Sequence, residues 1–211
     1  MKLYDYELSG NCWKVRYLLN ALGQACERHP INFHPGREHK SAWFIEQVNP
    51  LGQIPVLEDG GFLLRDAQAI LVYLASAYDA SGRWYPANAR ARGDIQLWLA
   101  MAEDITRSAS AARLHDGFGF VHIDVQAARR SARALFRQLD DHLAEQQVQG
   151  RRWLVAGEQS TIADLACFPY VALAPEGGIP LDEWPALRHW VWDFRHQPEF
   201  IGMPGILTPA L

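Results

Sequence analysis

The spacing of hydrophobic and polar positions near the start of the chain predicts a strand, a helix and a second strand. Residues 2–7 read as a short strand, and apolar residues then recur at helical spacing from Cys12 to Leu22, where Gly23 ends the helix. The stretch 29–34 is compatible with a strand only at the edge of a sheet, because Pro30 has no amide hydrogen to donate. We therefore expect two parallel strands joined by a right-handed helical crossover.

The next segment predicts a helix, a hairpin and another helix. A short helix fits residues 41–48, and the apolar runs 55–58 and 62–64 are separated by Asp-Gly-Gly, which favours a hairpin turn. Asp66 is suited to capping the helix that follows. The order β-α-β-α-β-β-α predicts a small α/β domain over residues 1–77.

The pattern changes to helices alone after a polar linker, residues 78–86. Apolar positions from 95 to 112 alternate steps of three and four, which predicts one long helix with a buried stripe, and a second helix repeats that pattern. Thr161 and Asp164 have the spacing of a capping box, and the helix that they open is apolar nearly all round. Residues 87–211 are therefore predicted to form an all-helical domain.

Composition and charge exclude several classes of function. The 211 residues include 20 basic and 24 acidic side chains, a formal charge of −4, which leaves no electrostatic footprint for nucleic acid. No apolar run approaches the ~18 residues that a membrane span needs. The first residues carry acids where a secretory signal has its apolar core, so we expect a cytoplasmic protein. Three cysteines are too few for a disulfide framework, and the histidines lack metal-ligand spacing, so no metal is expected.

The turn between the first strand and the first helix is a candidate site. A strand that runs into a helix presents free backbone amides and the positive end of the helix dipole. The motif is Ser9-x-x-Cys12, where thioredoxin-like domains often carry Cys-x-x-Cys. A serine cannot form the mixed disulfide of thiol exchange, but it can donate a hydrogen bond to the thiolate of a ligand.

Two further turns are expected to face the same cleft. Pro55 stands where thioredoxin-like folds place a cis peptide bond, which leaves the backbone of Ile54 available to pair with an extended peptide. Asp66 and Ala67 lie where the fourth strand meets the next helix. The three turns together are complementary to the cysteine, the backbone and the γ-glutamyl end of glutathione.

Four stretches resemble, in order and at the expected spacing, the signature segments of cytosolic glutathione transferases: SGNCWKVR, NPLGQIPVLED, LLRDAQAILVYLA and STIADLACFPYV. The serine-type classes (theta, zeta and delta-like) are nearest, because Ser9 falls where their catalytic serine lies. The tyrosine-type classes use a first-strand tyrosine, near Tyr4 and Tyr6. The resemblance implies a thioredoxin-like N-terminal domain, an all-helical C-terminal domain, and an enzyme that conjugates glutathione, its co-substrate, to a small hydrophobic electrophile.

The resemblance also implies roles for individual residues. Ser9 would be catalytic, while His39, Ile54 and Asp66 would meet the glycine carboxylate, the backbone and the γ-glutamyl ammonium of glutathione. The residues implied to bind glutathione are Asn11, Cys12, His39, Gln53, Ile54, Pro55, Asp66 and Ala67; those implied to line a second-substrate pocket between the domains are Leu8, Trp13, Arg107, Ala111 and Leu114. A homodimer is implied as well, with its two-fold axis along the third and fourth helices and Glu103 or Asp104 near the neighbouring site.

Ionising the thiol of glutathione is a task that one serine can perform. A free thiol with a pKa of about 8.5 is only about 3% ionised at pH 7. Lowering that pKa to about 6.5–7 needs about 2–3 kcal/mol. A charge-assisted hydrogen bond from Ser9, with about 0.3–2 kcal/mol from the helix dipole, supplies this without a general base.

One departure from the family pattern leaves alternatives open. The family usually has Glu or Gln followed by Ser or Thr where this sequence has Asp66-Ala67, and a lost hydrogen bond to a charged group costs about 1.5–3 kcal/mol, or about ten-fold in glutathione affinity. A non-catalytic binding protein and a glutathione-dependent disulfide or peroxide reductase therefore remain alternatives. Ser9 can also be interpreted as a simple N-cap of the first helix. Cys12 can be interpreted as a small buried hydrophobic residue. His39 is expected to be exposed.

Overall fold

The computed structural model describes residues 1–209 and divides the chain into two compact units, which meet between residues 82 and 83. The first unit has the predicted order of elements. They are β1 (Lys2–Asp5), α1 (Gly10–Ala21), β2 (Glu27–Pro30), α2 (Ala42–Gln47), β3 (Val56–Asp59), β4 (Phe62–Arg65) and α3 (Ala67–Tyr78), with a 3₁₀ turn (Glu38–Lys40) before α2.

The four strands form one mixed sheet in the order β2-β1-β3-β4. Strands β1 and β2 are parallel, as predicted for the crossover, and β3 and β4 are antiparallel neighbours. The expectation that β2 lies at a sheet edge is confirmed, but its bounds were wrong: the strand ends at Pro30 instead of continuing to residue 34. Pro30 is the last residue of the strand, and the Ile31 nitrogen just beyond it still donates to the Asp5 carbonyl at 2.7 Å.

Helix α2 covers one face of this sheet. Phe44 and Val48 pack with Tyr4 of β1 and Val56 of β3 in a buried cluster. Because side chains alternate along a strand, Leu3 of β1 points to the opposite face. Helices α1 and α3 pack side by side in the same unit.

The second unit is built from helices, as predicted. They are α4 (Ala89–Ile105), α5 (Ala111–Phe118), α6 (Val125–Val148), α7 (Ile162–Ala172) and α8 (Pro185–Arg195), with a 3₁₀ turn (Ala174–Gly177) after α7. The single long helix expected over 95–112 is wrong in one respect: a π-helical turn, Thr106–Ser110, separates α4 from α5. The hydroxyls of Thr106 and Ser108 donate to the carbonyls of Ala102 and Asp104, at 2.8 and 2.7 Å. Hydroxyl groups that bond to helix carbonyls in this way favour a local change of helical register.

Helix α7 is the centre of the second unit, because every residue from Ile162 to Val171 is buried. The predicted capping box is present at its start, where Asp164 accepts from the backbone nitrogen of Thr161 at 3.0 Å. The same carboxylate accepts from the Leu154 nitrogen at 2.9 Å and from the Trp190 indole at 3.0 Å. Across residues 1–209, no helix has both the length and the apolar character needed to cross a membrane.

Candidate functional site

The sheet register brings four predicted segments to one end of the first unit. Strand β1 runs toward the Ser9 turn, and because β3 is antiparallel to it, with Tyr4 opposite Val56, Ile54 and Pro55 lie beside the end of β1. Val56 is in turn opposite Arg65, which places Asp66 at the same end. Strand β2 is parallel to β1, so the loop that carries His39 leaves from this end as well.

Ser9 forms the N-cap of α1. Its hydroxyl oxygen accepts a hydrogen bond from the backbone nitrogen of Cys12 at 3.2 Å, and its own backbone nitrogen donates to the Tyr6 carbonyl at 3.0 Å. The side chain is half-buried at the positive end of the helix. The N-cap and the functional readings of Ser9 are therefore compatible, since the oxygen accepts from the helix while the hydroxyl hydrogen is the group suited to a thiolate.

Cys12 occupies a different environment from Ser9. Its side chain is 0% exposed, and burial, reinforced by the charge of Asp5, raises the pKa of its thiol to about 12. A buried neutral thiol is neither a nucleophile nor a surface ligand. Cys12 therefore stays a predicted glutathione-binding residue whose thiol is enclosed, and in this turn it supplies a backbone amide to Ser9.

The two first-unit residues expected at the second-substrate pocket differ in how deeply their side chains are buried. Leu8 is half-buried, but Trp13 is 0% exposed and packs against Tyr17, with ring centroids 5.1 Å apart. The side chain of Trp13 thus lies in the core, and its place at the pocket stays a prediction. The spacing of apolar residues in α1 predicted which face of the helix Trp13 occupies, but not how deeply its side chain is buried.

The two tyrosines of the first strand also differ. Tyr4 is buried in the cluster under α2, where its hydroxyl donates to Glu58 at 3.4 Å, and burial is the main cause of its raised pKa. Tyr6 is half-buried and lies 5.4 Å from the ring of Phe33. Unlike either tyrosine, the Ser9 hydroxyl combines a helix N-terminus with partial exposure.

The loop before β3 is held by a buried asparagine that the sequence did not single out. Asn49 is 1% exposed; its side chain donates to the Gln53 carbonyl at 2.8 Å and accepts from the Leu51 nitrogen at 3.1 Å. The Ile54–Pro55 peptide bond is cis, as expected. Gln53 has an exposed side chain, Ile54 is half-buried and Pro55 is buried.

The start of α3 presents a capped helix end. Asp66 accepts from the Ala69 nitrogen at 2.9 Å, and Ala67 is 2% exposed, so the methyl group fills the place where the family carries a hydroxyl. The Arg65 side chain donates to the Val48 carbonyl at 2.9 Å and is engaged in the scaffold. Gln68, the next residue of α3, is 8% exposed.

Backbone strain coincides with these segments. Among residues 1–209, the non-glycine residues with positive φ are Arg37 at 52° and Asp66 at 80°. Both stand in segments that meet at the same end of the sheet. Such conformations cost about 1–3 kcal/mol each and cluster at ligand-binding sites.

His39 is buried, contrary to the expectation of an exposed loop residue. It is 7% exposed and stacks on Phe33, with ring centroids 4.1 Å apart. Burial lowers the pKa of its imidazole to about 4, and the charges of Lys40 and Arg37 act in the same direction. The ring is therefore neutral at pH 7, and its Nδ1 atom is buried with no hydrogen-bond partner. An unpaired buried nitrogen of this kind is suited to a ligand contact.

A close approach ties the His39 segment to the loop before β3. Lys40 donates from Nζ to the Leu51 carbonyl at 3.2 Å. A Cβ atom at Gly52 would lie 2.7 Å from the His39 carbonyl oxygen, so a side chain at this position would separate the two segments. Phe33 and Lys40 were missed by sequence reasoning, although an aromatic and a basic residue in a loop beyond an edge strand are the signal that could have found them.

Of the three second-unit residues expected at the pocket, two line a cavity in that unit. Arg107 and Ala111 line a cavity of about 600 Å³ whose other walls come from α6 and from Asp104 and Ser108. Arg107 is exposed and pairs with Glu103 at 3.1 Å. Leu114 is half-buried and is not among the residues that line this cavity.

Metal chemistry has no visible site in the part of the chain that the structure describes. Across residues 1–209, no group of three or more His, Cys, Asp or Glu side chains is placed to hold a metal ion.

Two family models match the chain, one for each unit. Residues 3–82 match the model described as glutathione S-transferase, N-terminal domain, and residues 105–198 match the glutathione S-transferase, C-terminal domain. The matched segments contain the Ser9, Ile54 and Asp66 turns and the buried helix α7.

Individual relatives agree with these matches. The chain is 34% identical over 156 residues to glutathione S-transferase theta-2 of Homo sapiens, an alignment that covers 72% of this chain and 64% of that protein. It is 30% identical over 195 residues to glutathione S-transferase theta-1 of Rattus norvegicus, covering 90% and 80%. The chain thus spans less than two thirds of the human relative's length.

Solved structures show the same fold. A glutathione S-transferase from Xanthobacter autotrophicus superimposes with a TM-score of 0.83 at 30% identity, covering 97% of each chain. A glutathione transferase homolog from Lodderomyces elongisporus, solved with two GSH per subunit, superimposes with a TM-score of 0.81 at 25% identity, covering 94% of each chain.

Proposed function

We propose, from the premise that the chain belongs to the glutathione S-transferase family, that it binds glutathione, stabilises its thiolate and conjugates it to a small hydrophobic electrophile. The observation that carries the proposal is the position of the Ser9 hydroxyl: half-buried, at the N-terminus of α1, with its oxygen already accepting from a backbone amide. Its hydrogen is the group that would donate to the thiolate of glutathione.

Glutathione would be held by parts of the site that differ in charge. The Asp66 carboxylate would pair with the γ-glutamyl ammonium, and the backbone of Ile54 would pair with the peptide as an added strand does. The neutral imidazole of His39 would donate a hydrogen bond to the glycine carboxylate, with positive charge from Lys40 and Arg37 nearby in the chain. Asn11 and Gln53 would complete the set.

The reaction requires little more than ionisation and positioning. The Ser9 hydroxyl and the dipole of α1 stabilise the thiolate, and the thiolate attacks the electrophilic carbon while the leaving group departs. Leu8, Arg107, Ala111 and Leu114 are the residues that we propose for contact with the electrophile. Three of them are aliphatic, which fits an apolar substrate.

Two other functions are alternatives to conjugation. Ala67 is the observation that favours a non-catalytic binding protein, because no hydroxyl stands at that position. Reduction of disulfides or peroxides through Cys12 is disfavoured by the burial of its thiol. Retention on immobilised glutathione, followed by turnover with a panel of electrophiles, disulfides and peroxides, separates the three. Conjugation that is lost in Ser9→Ala supports the proposal, whereas retention without any turnover would favour the binding protein.

The assembly and the compartment are part of the proposal. We infer a homodimer, with Glu103 and Asp104 near the neighbouring site, by analogy with the family. A sedimentation mass near 23.9 kDa at micromolar concentration, the mass of one chain, would contradict this. We infer a cytoplasmic location because Cys12, Cys26 and Cys167 are free thiols, as is usual in a reducing compartment.

A further inference from the structure

Lys14 is a fully buried lysine beside the candidate thiolate site. Its side chain is 0% exposed, although lysine is almost never fully buried unless its charge is paired. It lies in α1, one and a half turns from the Ser9 cap. Neither the family resemblance nor the thiolate mechanism above assigns it a role.

The contact between Lys14 and Asn11 fixes the orientation of a carboxamide. The Nζ atom of Lys14 lies 2.8 Å from Oδ1 of Asn11. An ammonium group has donors only, so the atom of the carboxamide that faces it must be the oxygen. The amide nitrogen of Asn11, with its two hydrogens, is therefore directed away from Lys14.

Asn11 lies in the turn that is proposed to hold the thiol of glutathione. It is the second residue of α1, it is half-buried, and it follows the Ser9 cap by two positions. The contact with Lys14 occupies the carboxamide oxygen, which would repel a thiolate if it faced the sulfur.

The two elements that neighbour α1, β1 and α3, differ in their charged residues. Asp5 of β1 is paired with Arg16 and Arg28. Helix α3, which packs beside α1, has no charged side chain from Ala67 to Tyr78.

We propose that Lys14 is a positioning residue for the thiolate of glutathione. It holds the Asn11 carboxamide so that its N–H group donates to the sulfur, alongside the hydroxyl of Ser9. This inference rests on the proposed function, because it needs glutathione to be bound and ionised at this turn.

The test is the pKa of bound glutathione, read from thiolate absorbance in the parent, Lys14→Met, Asn11→Ala and the double variant. At a pH below the thiol pKa, each single variant is expected to hold about three- to ten-fold less thiolate than the parent, which is the effect of losing one charge-assisted hydrogen bond. The double variant is expected to match Asn11→Ala alone, because Lys14 acts through Asn11. Affinity for S-methylglutathione, which has no thiol to ionise, is expected to change less than about two-fold.

Several outcomes would overturn the proposal. A thiol pKa unchanged in Asn11→Ala would do so even if Lys14→Met fails to fold, and so would additive effects in the double variant. A variant that loses thermal stability but keeps the parent's thiol pKa would make Lys14 merely structural. None of these results contradicts the proposed function, provided that the parent protein lowers the thiol pKa of bound glutathione. A parent that does not bind glutathione would overturn both.

Discussion

The hydroxyl oxygen of Ser9 lies 3.2 Å from the backbone nitrogen of Cys12 and accepts its hydrogen bond. This contact separates the roles of two side chains that are three residues apart in the sequence. Ser9 caps the helix with its oxygen, while the thiol of Cys12 is enclosed and hydrogen-bonded to the Ser9 side chain. We propose that the Ser9 hydroxyl, and not the Cys12 thiol, meets the thiolate of a ligand at the first turn of α1.

The first prediction concerns Cys12→Ala. Because the thiol is buried and neutral, conjugation rates should stay within about three-fold of the parent, while the lost packing lowers the free energy of unfolding by about 1 kcal/mol. Steady-state rates and urea unfolding check the two effects. A ten-fold loss of rate in a folded variant would return Cys12 to the chemistry.

Local turn chemistry explains why much of this site could be predicted from sequence. Ser9, the Ile54–Pro55 peptide and Asp66 each stand at a junction between elements, and capping or strand-start preferences depend on a few neighbouring residues. The order of strands and helices followed from hydrophobic periods in the same way.

Burial depth could not be predicted by that reasoning. A helical period shows which face Trp13 occupies, but only the packed unit shows that it is fully buried. His39 looked exposed because its neighbours are charged, yet Phe33 covers its ring. The π-helical turn depends on how the hydroxyls of Thr106 and Ser108 compete for carbonyls, which periodicity does not report.

Restoring the family's hydroxyl tests how the γ-glutamyl end is held. Ala67→Ser should raise glutathione affinity about ten-fold, since a hydrogen bond to a charged group contributes about 1.5–3 kcal/mol. Ala69→Ser, at an exposed position in the same turn of α3, is the matched control and should leave affinity unchanged. Calorimetric titration measures both. Equal affinities for the parent and Ala67→Ser would place the γ-glutamyl carboxylate elsewhere.

His39 predicts a pH dependence of stability. Its pKa in the folded chain is lowered from 6.5 to about 4, so the unfolded chain binds the extra proton first as the pH falls. Stability should therefore decline between about pH 6.5 and about pH 4, and rise with pH over the same window.

The variant that isolates this effect is His39→Gln, which has no titrating ring. Its free energy of unfolding should fall less than the parent's between about pH 7 and about pH 5. His122→Gln, at an exposed position, should follow the parent. Parallel curves for His39→Gln and the parent would show that the imidazole is not buried in solution.

The central claim is that the Ser9 hydroxyl stabilises the thiolate of bound glutathione. Ser41 provides a matched control, because it caps α2 with the same 3.2 Å contact, to the Phe44 nitrogen. Replacing either serine by alanine removes an N-cap worth about 1 kcal/mol of stability, but Ser9 is the one that we propose meets the thiol. Any difference between the two variants therefore reports on the thiolate.

The most direct measurement is an ultraviolet titration of the thiolate of bound glutathione in the parent, Ser9→Ala and Ser41→Ala. We predict a pKa of about 6.5–7 in the parent and in Ser41→Ala, and a value about one to two units higher in Ser9→Ala, with conjugation at neutral pH about ten-fold slower or more. The loss of rate should shrink at higher pH, where the thiol ionises without help. A thiol pKa in Ser9→Ala equal to that of the parent would contradict the account.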